Sequence, residues 1–143
     1  MNRDDIVHET YEWVNTPFQH FQCCKGIGVD CAHLVIGIGK SVGLLPRNFV
    51  VPFYTAQWQL SFPTLLLDTL NNSGFRRKPI EEALPGDIYI LRFRSIPQHT
   101  AIIVNDGCVV HARISQTLRK VVVSRFIHER ILEACYTYPG IEG

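Results

Sequence analysis

The sequence predicts an α+β fold, and three observations carry that expectation. Apolar residues recur at helical spacing over residues 4–15 and 31–42, a turn signal stands at Leu84-Pro85-Gly86-Asp87, and strand-type runs follow it. Helices first and strands second is the α+β order, with a central helix laid on one face of an antiparallel sheet. With 143 residues, 46% of them hydrophobic and 19% charged, the chain suits one domain over 1–143 with an ordinary core.

In residues 4–15, Val7, Tyr11 and Val14 form a stripe flanked by Ile6 and Trp13, and Asp4 and Asp5 stand where a helix start favours negative charge. Thr16 ends this helix, because a residue preceding proline is pushed out of the helical region and Pro17 follows. A loop containing Gly26 and Gly28 leads to Asp30, a good cap for a helix over 31–42 with the stripe Leu34, Val35, Ile38 and Val42 and the stop Gly43. Gly37 and Gly39 each weaken that helix by up to ~1 kcal/mol relative to alanine, so tertiary packing has to hold it, and close approach to another element explains the glycines. Residues 46–62 carry no clean period and read as an irregular cover. A short helix is predicted over 64–72, ending at Ser73-Gly74, and one further turn over 80–83. Beyond Leu84 the runs 88–93, 99–104, 108–113 and 121–124 predict strands, with 131–138 as a fifth.

Charge and cysteine usage exclude several classes. Net charge is +1 and the basic cluster Arg76-Arg77-Lys78 is too short to neutralise a run of phosphates, so no nucleic-acid partner is expected. Apolar stretches such as Leu65-Leu66-Leu67 fall far below the ~18 residues of a membrane span, and no Sec-type signal stands at the amino terminus. The expectation is a soluble protein, cytoplasmic when made. The odd set Cys23, Cys24, Cys31, Cys108 and Cys135 lacks paired C-x-x-C spacing, which argues against a disulfide framework and a structural zinc site. His20 and Cys23 are spaced to share a metal, but a second pair is missing and no metal is expected.

Within Gly28-Val29-Asp30-Cys31-Ala32-His33-Leu34-Val35, a thiol occupies the first turn of the central helix directly after its cap. The positive end of a helix can lower a cysteine pKa until the nucleophilic thiolate is populated at neutral pH. Position alone leaves open a buried core cysteine. A nucleophile needs a base, and His99 and His111 stand at either end of one predicted hairpin. Each alone fits a structural strand residue. Together with Cys31 they suggest a relay in which His99 takes the thiol proton and His111 orients the first ring through a ring-to-ring hydrogen bond.

Hairpin parity decides whether the rings can meet, since strand side chains alternate faces. A two-residue turn at Asp106-Gly107 pairs 105 with 108 and puts the histidines on opposite faces. A three-residue turn over 105–107 pairs 104 with 108 and 101 with 111, so that both rings share a face as diagonal neighbours roughly 7 to 8 Å apart at the backbone. Gly107 suits the left-handed residue that closes the longer turn, which is the one expected, with both rings toward the start of the Cys31 helix and residues 100, 102, 110 and 112 facing away.

These residues resemble the NlpC-type cell-wall cysteine peptidases, papain-like enzymes of peptidoglycan. Thr16-Pro17-Phe18 is similar to the family's Thr-Pro-Tyr segment, and the stretch around Cys31 to its Asp-Cys-Ser-Gly-Leu-Val motif. Pro85-Gly86-Asp87-Ile88 resembles its Pro-Gly-Asp-Leu, His99-Thr-Ala-Ile-Ile its His-Val-Gly-Ile-Tyr strand, and Val109-Val110-His111-Ala112 stands in the place of its third polar residue. These motifs stand in the family's order, and the resemblance covers most of the chain. The resemblance implies a papain-like fold, Cys31 as nucleophile, His99 as base, His111 as orienting residue, no cofactor, and the D-glutamyl to diaminopimelate bond of the peptidoglycan stem peptide as substrate.

Two departures matter. Phe18 replaces a tyrosine whose hydroxyl the family uses, so Gln19 or Gln22 is the expected substitute, donating to the substrate beside the Cys31 N–H as an oxyanion donor. His33 replaces a small residue and, two positions from Cys31, points to a different side of the helix, which reads as packing or surface. Asp30 borders the expected substrate groove as a cap, and His8, His20 and His128 match no motif and read as solvated or loop residues. The compact form resembles the phage-tail branch of the family, which implies a phage or prophage setting, tail proteins as partners and action at the wall through a virion or secretion apparatus. Competing readings are a non-catalytic tail or wall-binding module, an amidase toxin, and an acyltransferase or deamidase on the same scaffold.

Overall fold

The computed structural model describes residues 1–125 and 129–142, and an α+β architecture is what it contains. Helix α1 (Arg3–Glu12) starts at a capping box in which Asp5 N–H donates to Asn2 Oδ1 and Asn2 N–H to Asp5 Oδ2, both at 2.9 Å. A two-residue hairpin, β1 (Cys23–Cys24) with β2 (Gly28–Val29), precedes the central helix α2 (Cys31–Ser41). The cover over 46–62 contains one short helix, α3 (Trp58–Ser61), and α4 (Leu65–Asn72) follows. Strands β3 (Arg76–Lys78), β4 (Ile88–Phe93), β5 (Ile96–Ile103), β6 (Val109–Ile114), β7 (Arg119–Ser124) and β8 (Leu132–Thr137) form one six-stranded antiparallel sheet in the order β3-β8-β4-β5-β6-β7.

The sequence reading missed α3, the edge strand β3 and the β1–β2 hairpin. The basic cluster Arg76–Lys78 is an edge strand paired with β8, where cations on the outer edge discourage further strand pairing. The β1–β2 hairpin is too short to show a period. It matters because Phe18 bridges to Val29 of β2 and donates its N–H to Arg119 O of β7 at 2.9 Å, which pins residues 15–18 along the β7 edge.

The apolar stripe of α2 decides which sheet face is inside. Leu34, Val35 and Ile38 share one core with Ile6 and Val7 of α1, Leu66 and Leu70 of α4, and the even-numbered Ile88, Ile90, Ile102, Val110 and Ala112 of the sheet. Leu91, Ala101, Val109 and Leu132 form a smaller cluster on the other face. The expected face assignment is therefore corrected: residues 102, 110 and 112 face α2, and Thr100 donates its hydroxyl to Cys31 O at 2.7 Å. The even-numbered residues are apolar enough to bury the helix, whereas the odd-numbered face carries the histidines.

The helical glycines have the predicted cause. A Cβ on Gly37 would lie 2.6 Å from Trp13 Cη2 and 2.8 Å from Cys23 Sγ, and one on Gly39 would lie 2.9 Å from Tyr138 Cε1, so both positions admit neighbours that alanine would push away. Asp87, fully buried at the start of the sheet, accepts from Arg3 at 2.7 Å, Lys78 at 2.8 Å, Thr137 at 2.8 Å and Leu84 N–H at 2.9 Å, tying α1 and β3 to β8. Burial by itself raises the Asp87 pKa, but the bonds from Lys78, Arg3, the Leu84 N–H and Thr137 together outweigh it and hold the carboxyl below its usual range. Among the described residues no helix is long and apolar enough to cross a membrane.

Candidate active site

Asp30 caps α2, and its Oδ1 accepts the His33 N–H at 2.8 Å, which places Cys31 in the first helical turn. Its other oxygen accepts the Phe21 N–H at 2.8 Å and the Tyr54 hydroxyl. His33 Nδ1 lies 3.0 Å from Asp30 Oδ1 and 2.8 Å from the Tyr54 oxygen, and the His33 ring stacks on Tyr54 with centroids 5.8 Å apart. His33 is thus a packing residue that fastens the cover to the helix start. Burial raises the Asp30 pKa on its own, but the bonds from His33 and Tyr54 reverse the direction and hold the carboxyl below its usual range. Asp30 stays charged and fully occupied as a cap.

The hairpin has the longer register, with Ile102 paired to Val110 and Ile103 to Val109. Val104 N–H donates to Cys108 O at 3.0 Å and Cys108 N–H to Asn105 O at 3.1 Å, so two residues oppose one in a bulge. Asp106 and Gly107 both take positive φ, 60° and 72°. His99 and His111 therefore share a face, and His99 Nε2 lies 2.9 Å from His111 Nδ1 with the rings edge to face. His111 Nε2 in turn lies 2.7 Å from Ser124 Oγ on β7. By parity that face is the one away from α2, yet the helix start and both rings border the same space. There Cys31, His99 and His111 line one cavity of about 600 Å³.

The thiol is not a thiolate at rest. Cys31 Sγ donates to Gln98 O at 3.7 Å, and its pKa is pushed up to about 12, first by burial and then by the Asp30 charge. The expected lowering by the helix start is overturned, because desolvation of the charged form exceeds what one helical turn supplies. Burial also pushes His99 down to about 3, with His111 adding to the effect, and His111 itself is lowered by burial and by Arg113. Burial thus works against charge on both the Cys31 thiol and the His99 ring.

Of the residues expected to touch substrate, Phe18, Gln19 and Asp30 line the cavity. Gln22 does not: it is exposed on the loop and uses its backbone carbonyl to accept the Asp30 N–H at 3.4 Å. His20, read as a loop residue, also lines the cavity and bonds Tyr54 O through Nε2 at 2.9 Å, while His8 is exposed on α1 and His128 lies outside the described residues. The sequence reading missed Tyr54, Trp58, Phe93, Arg113 and Arg119 in the walls and Ser124 behind the histidines. Only hairpin arithmetic could have found Ser124, since β6–β7 pairing makes it a diagonal neighbour of His111.

No protein-family model matches the chain, and no curated protein matches it. Solved structures do resemble it. The NlpC/p60 domain of the peptidoglycan hydrolase SagA superposes with a TM-score of 0.58 at 20% identity, covering 87% of this chain and 90% of that domain. The P60 domain of a Mycobacterium avium subspecies paratuberculosis antigen gives 0.62 at 17% identity, covering 95% and 93%. An NlpC/P60 family protein of Bacillus cereus gives 0.67 at 17% identity over 96% of this chain, which spans 40% of that protein's length. With its central helix, antiparallel sheet and strand order, the chain has the papain-like fold of NlpC/p60 domains.

Proposed function

We propose that the protein is a cysteine peptidase that hydrolyses a peptide bond in peptidoglycan stem peptides, the D-glutamyl to diaminopimelate bond being the intended substrate. The observation that carries the reading is the convergence of Cys31 and the hydrogen-bonded His99–His111 pair on one cavity. His99 Nε2 is engaged with His111, so Nδ1 is the nitrogen left to act on the thiol. Substrate entry turns Sγ away from Gln98 O, and the thiol proton passes to His99 Nδ1 as sulfur attacks the carbonyl carbon. The Cys31 N–H and the Gln19 amide face the developing oxyanion. His99 then protonates the leaving amine, and water resolves the thioester by the same base. Among the described residues, two cations in the walls, Arg113 and Arg119, have no ion pair, and Asp30 is the sole carboxylate lining the cavity and is already satisfied, so the groove favours an acidic peptide. Resemblance to the phage-tail branch supports a phage or prophage setting, which co-purification with virions tests.

One observation favours a second reading, recognition of wall peptides without cleavage: the Cys31 thiol donates to Gln98 O, and burial pushes its pKa up. Digestion of purified peptidoglycan with product identification by mass spectrometry separates the two. New amino termini at the stem peptide, absent with Cys31→Ala while peptide binding persists, are the expected result. Cleavage by Cys31→Ala close to wild type sinks the peptidase reading.

A further inference from the structure

We propose that Ser124 is a positioning residue that sets the proton order of the histidine pair, holding His111 so that its Nδ1 faces His99 as an acceptor. The inference rests on the peptidase reading of the same site. Ser124 Oγ lies 2.7 Å from His111 Nε2, and His111 Nδ1 lies 2.9 Å from His99 Nε2, so side chains from β7, β6 and β5 form one continuous chain.

A neutral imidazole carries one ring proton, so each ring donates at one nitrogen and accepts at the other. Two orders are available. If Ser124 donates to His111, then His111 Nδ1–H donates to His99 Nε2, and the proton of His99 sits on Nδ1, where the thiol proton has to arrive. If instead His111 Nε2–H donates to Ser124, then His99 Nε2–H donates to His111 and a lone pair remains on His99 Nδ1. The second order alone makes His99 a base.

The surroundings select it. Val109 pairs with Ser124 and His111 with Val122, which puts Ser124 on the histidine face as a diagonal neighbour. The charged side chains on that face of the β6–β7 hairpin are Arg113, two residues along from His111, and Lys120 opposite Arg113. Both are cations and cannot accept from His111, which leaves the Ser124 oxygen as the acceptor among the described residues. Ser124 is partly exposed at the end of β7, so its own hydrogen can turn to water. The reverse order would leave a donor at His99 Nδ1 with no acceptor among the described residues.

The test is nitrogen-15 NMR of histidine-labelled protein at neutral pH, which needs no substrate. In the wild type each of the two rings should show one fixed tautomer with its proton on Nε2. In Ser124→Ala the His111 ring should average its tautomers or move to Nδ1–H, and Ser124→Thr should restore the wild-type signals. Loss of this one hydrogen bond should lower kcat on stem peptides about tenfold with KM unchanged. A proton on Nδ1 of either ring in the wild type, or an unchanged His111 tautomer in Ser124→Ala, overturns the proposal whatever the wild type cleaves. Wild-type tautomers as stated together with their loss in Ser124→Ala uphold it, even where peptidoglycan is left intact and the peptidase reading falls.

Discussion

Acid should unfold this protein through its histidine pair, and His99 is the residue to perturb. Burial, aided by His111, pushes His99 from 6.5 down to about 3, so the native ring refuses a proton that the unfolded chain accepts. The contribution to stability is therefore complete above pH 6.5 and is lost as pH falls toward about 3. Each pH unit inside that window is worth ~1.4 kcal/mol for one fully shifted group, so two units cost up to ~3 kcal/mol. The ring borders an open cavity, and water there screens the effect to ~1–2 kcal/mol, still a sizeable part of a marginal stability of ~5–15 kcal/mol. Urea unfolding of the wild type and His99→Gln at about pH 7 and about pH 4.5 measures it. The variant removes one titrating ring and keeps a side-chain amide, so it should lose less stability over the window, with His111 supplying the remainder. Equal losses in the two proteins would refute the buried neutral pair.

The raised thiol pKa has a kinetic signature. Because Cys31 is held near 12, iodoacetamide at neutral pH should label the exposed Cys24 ahead of it, and peptide mapping that finds Cys31 labelled first would show the proton already resting on His99. Asp87→Ala removes the buried carboxylate that Arg3 and Lys78 share and should cost ~3–5 kcal/mol in urea unfolding at neutral pH, a loss below ~1 kcal/mol counting against the buried network. In the wild type that contribution is present above the ordinary value of 3.8 and fades as pH falls through the depressed native pKa. Gly37→Ala gains ~1 kcal/mol of helix propensity yet should lower the melting temperature, because displacing Trp13 and Cys23 costs ~1–3 kcal/mol; a raised melting temperature would refute the close-approach argument.

The elements of the candidate site were legible where the signal is local. Asp30 before a helical stripe placed Cys31 in a first turn, and counting residues across Asn105, Asp106 and Gly107 put both histidines on one face. Tyr54 was not legible, because residues 46–62 have no period and its role comes from a bond to Asp30, 24 residues away. Strand β3 was hidden for a similar reason, since three cations read as a charge cluster until β8 pairs with them.

Charge states and sidedness divided differently. The sequence by itself determined the two main helices, the cap, the strands beyond Leu84 and the hairpin register, because each depends on residues within a few positions of one another. Only the tertiary structure decided that α2 covers the even-numbered face of the sheet and that burial pushes the Cys31 pKa up. Desolvation and contact across strands are set by which distant elements close over a group, and no local spacing encodes that.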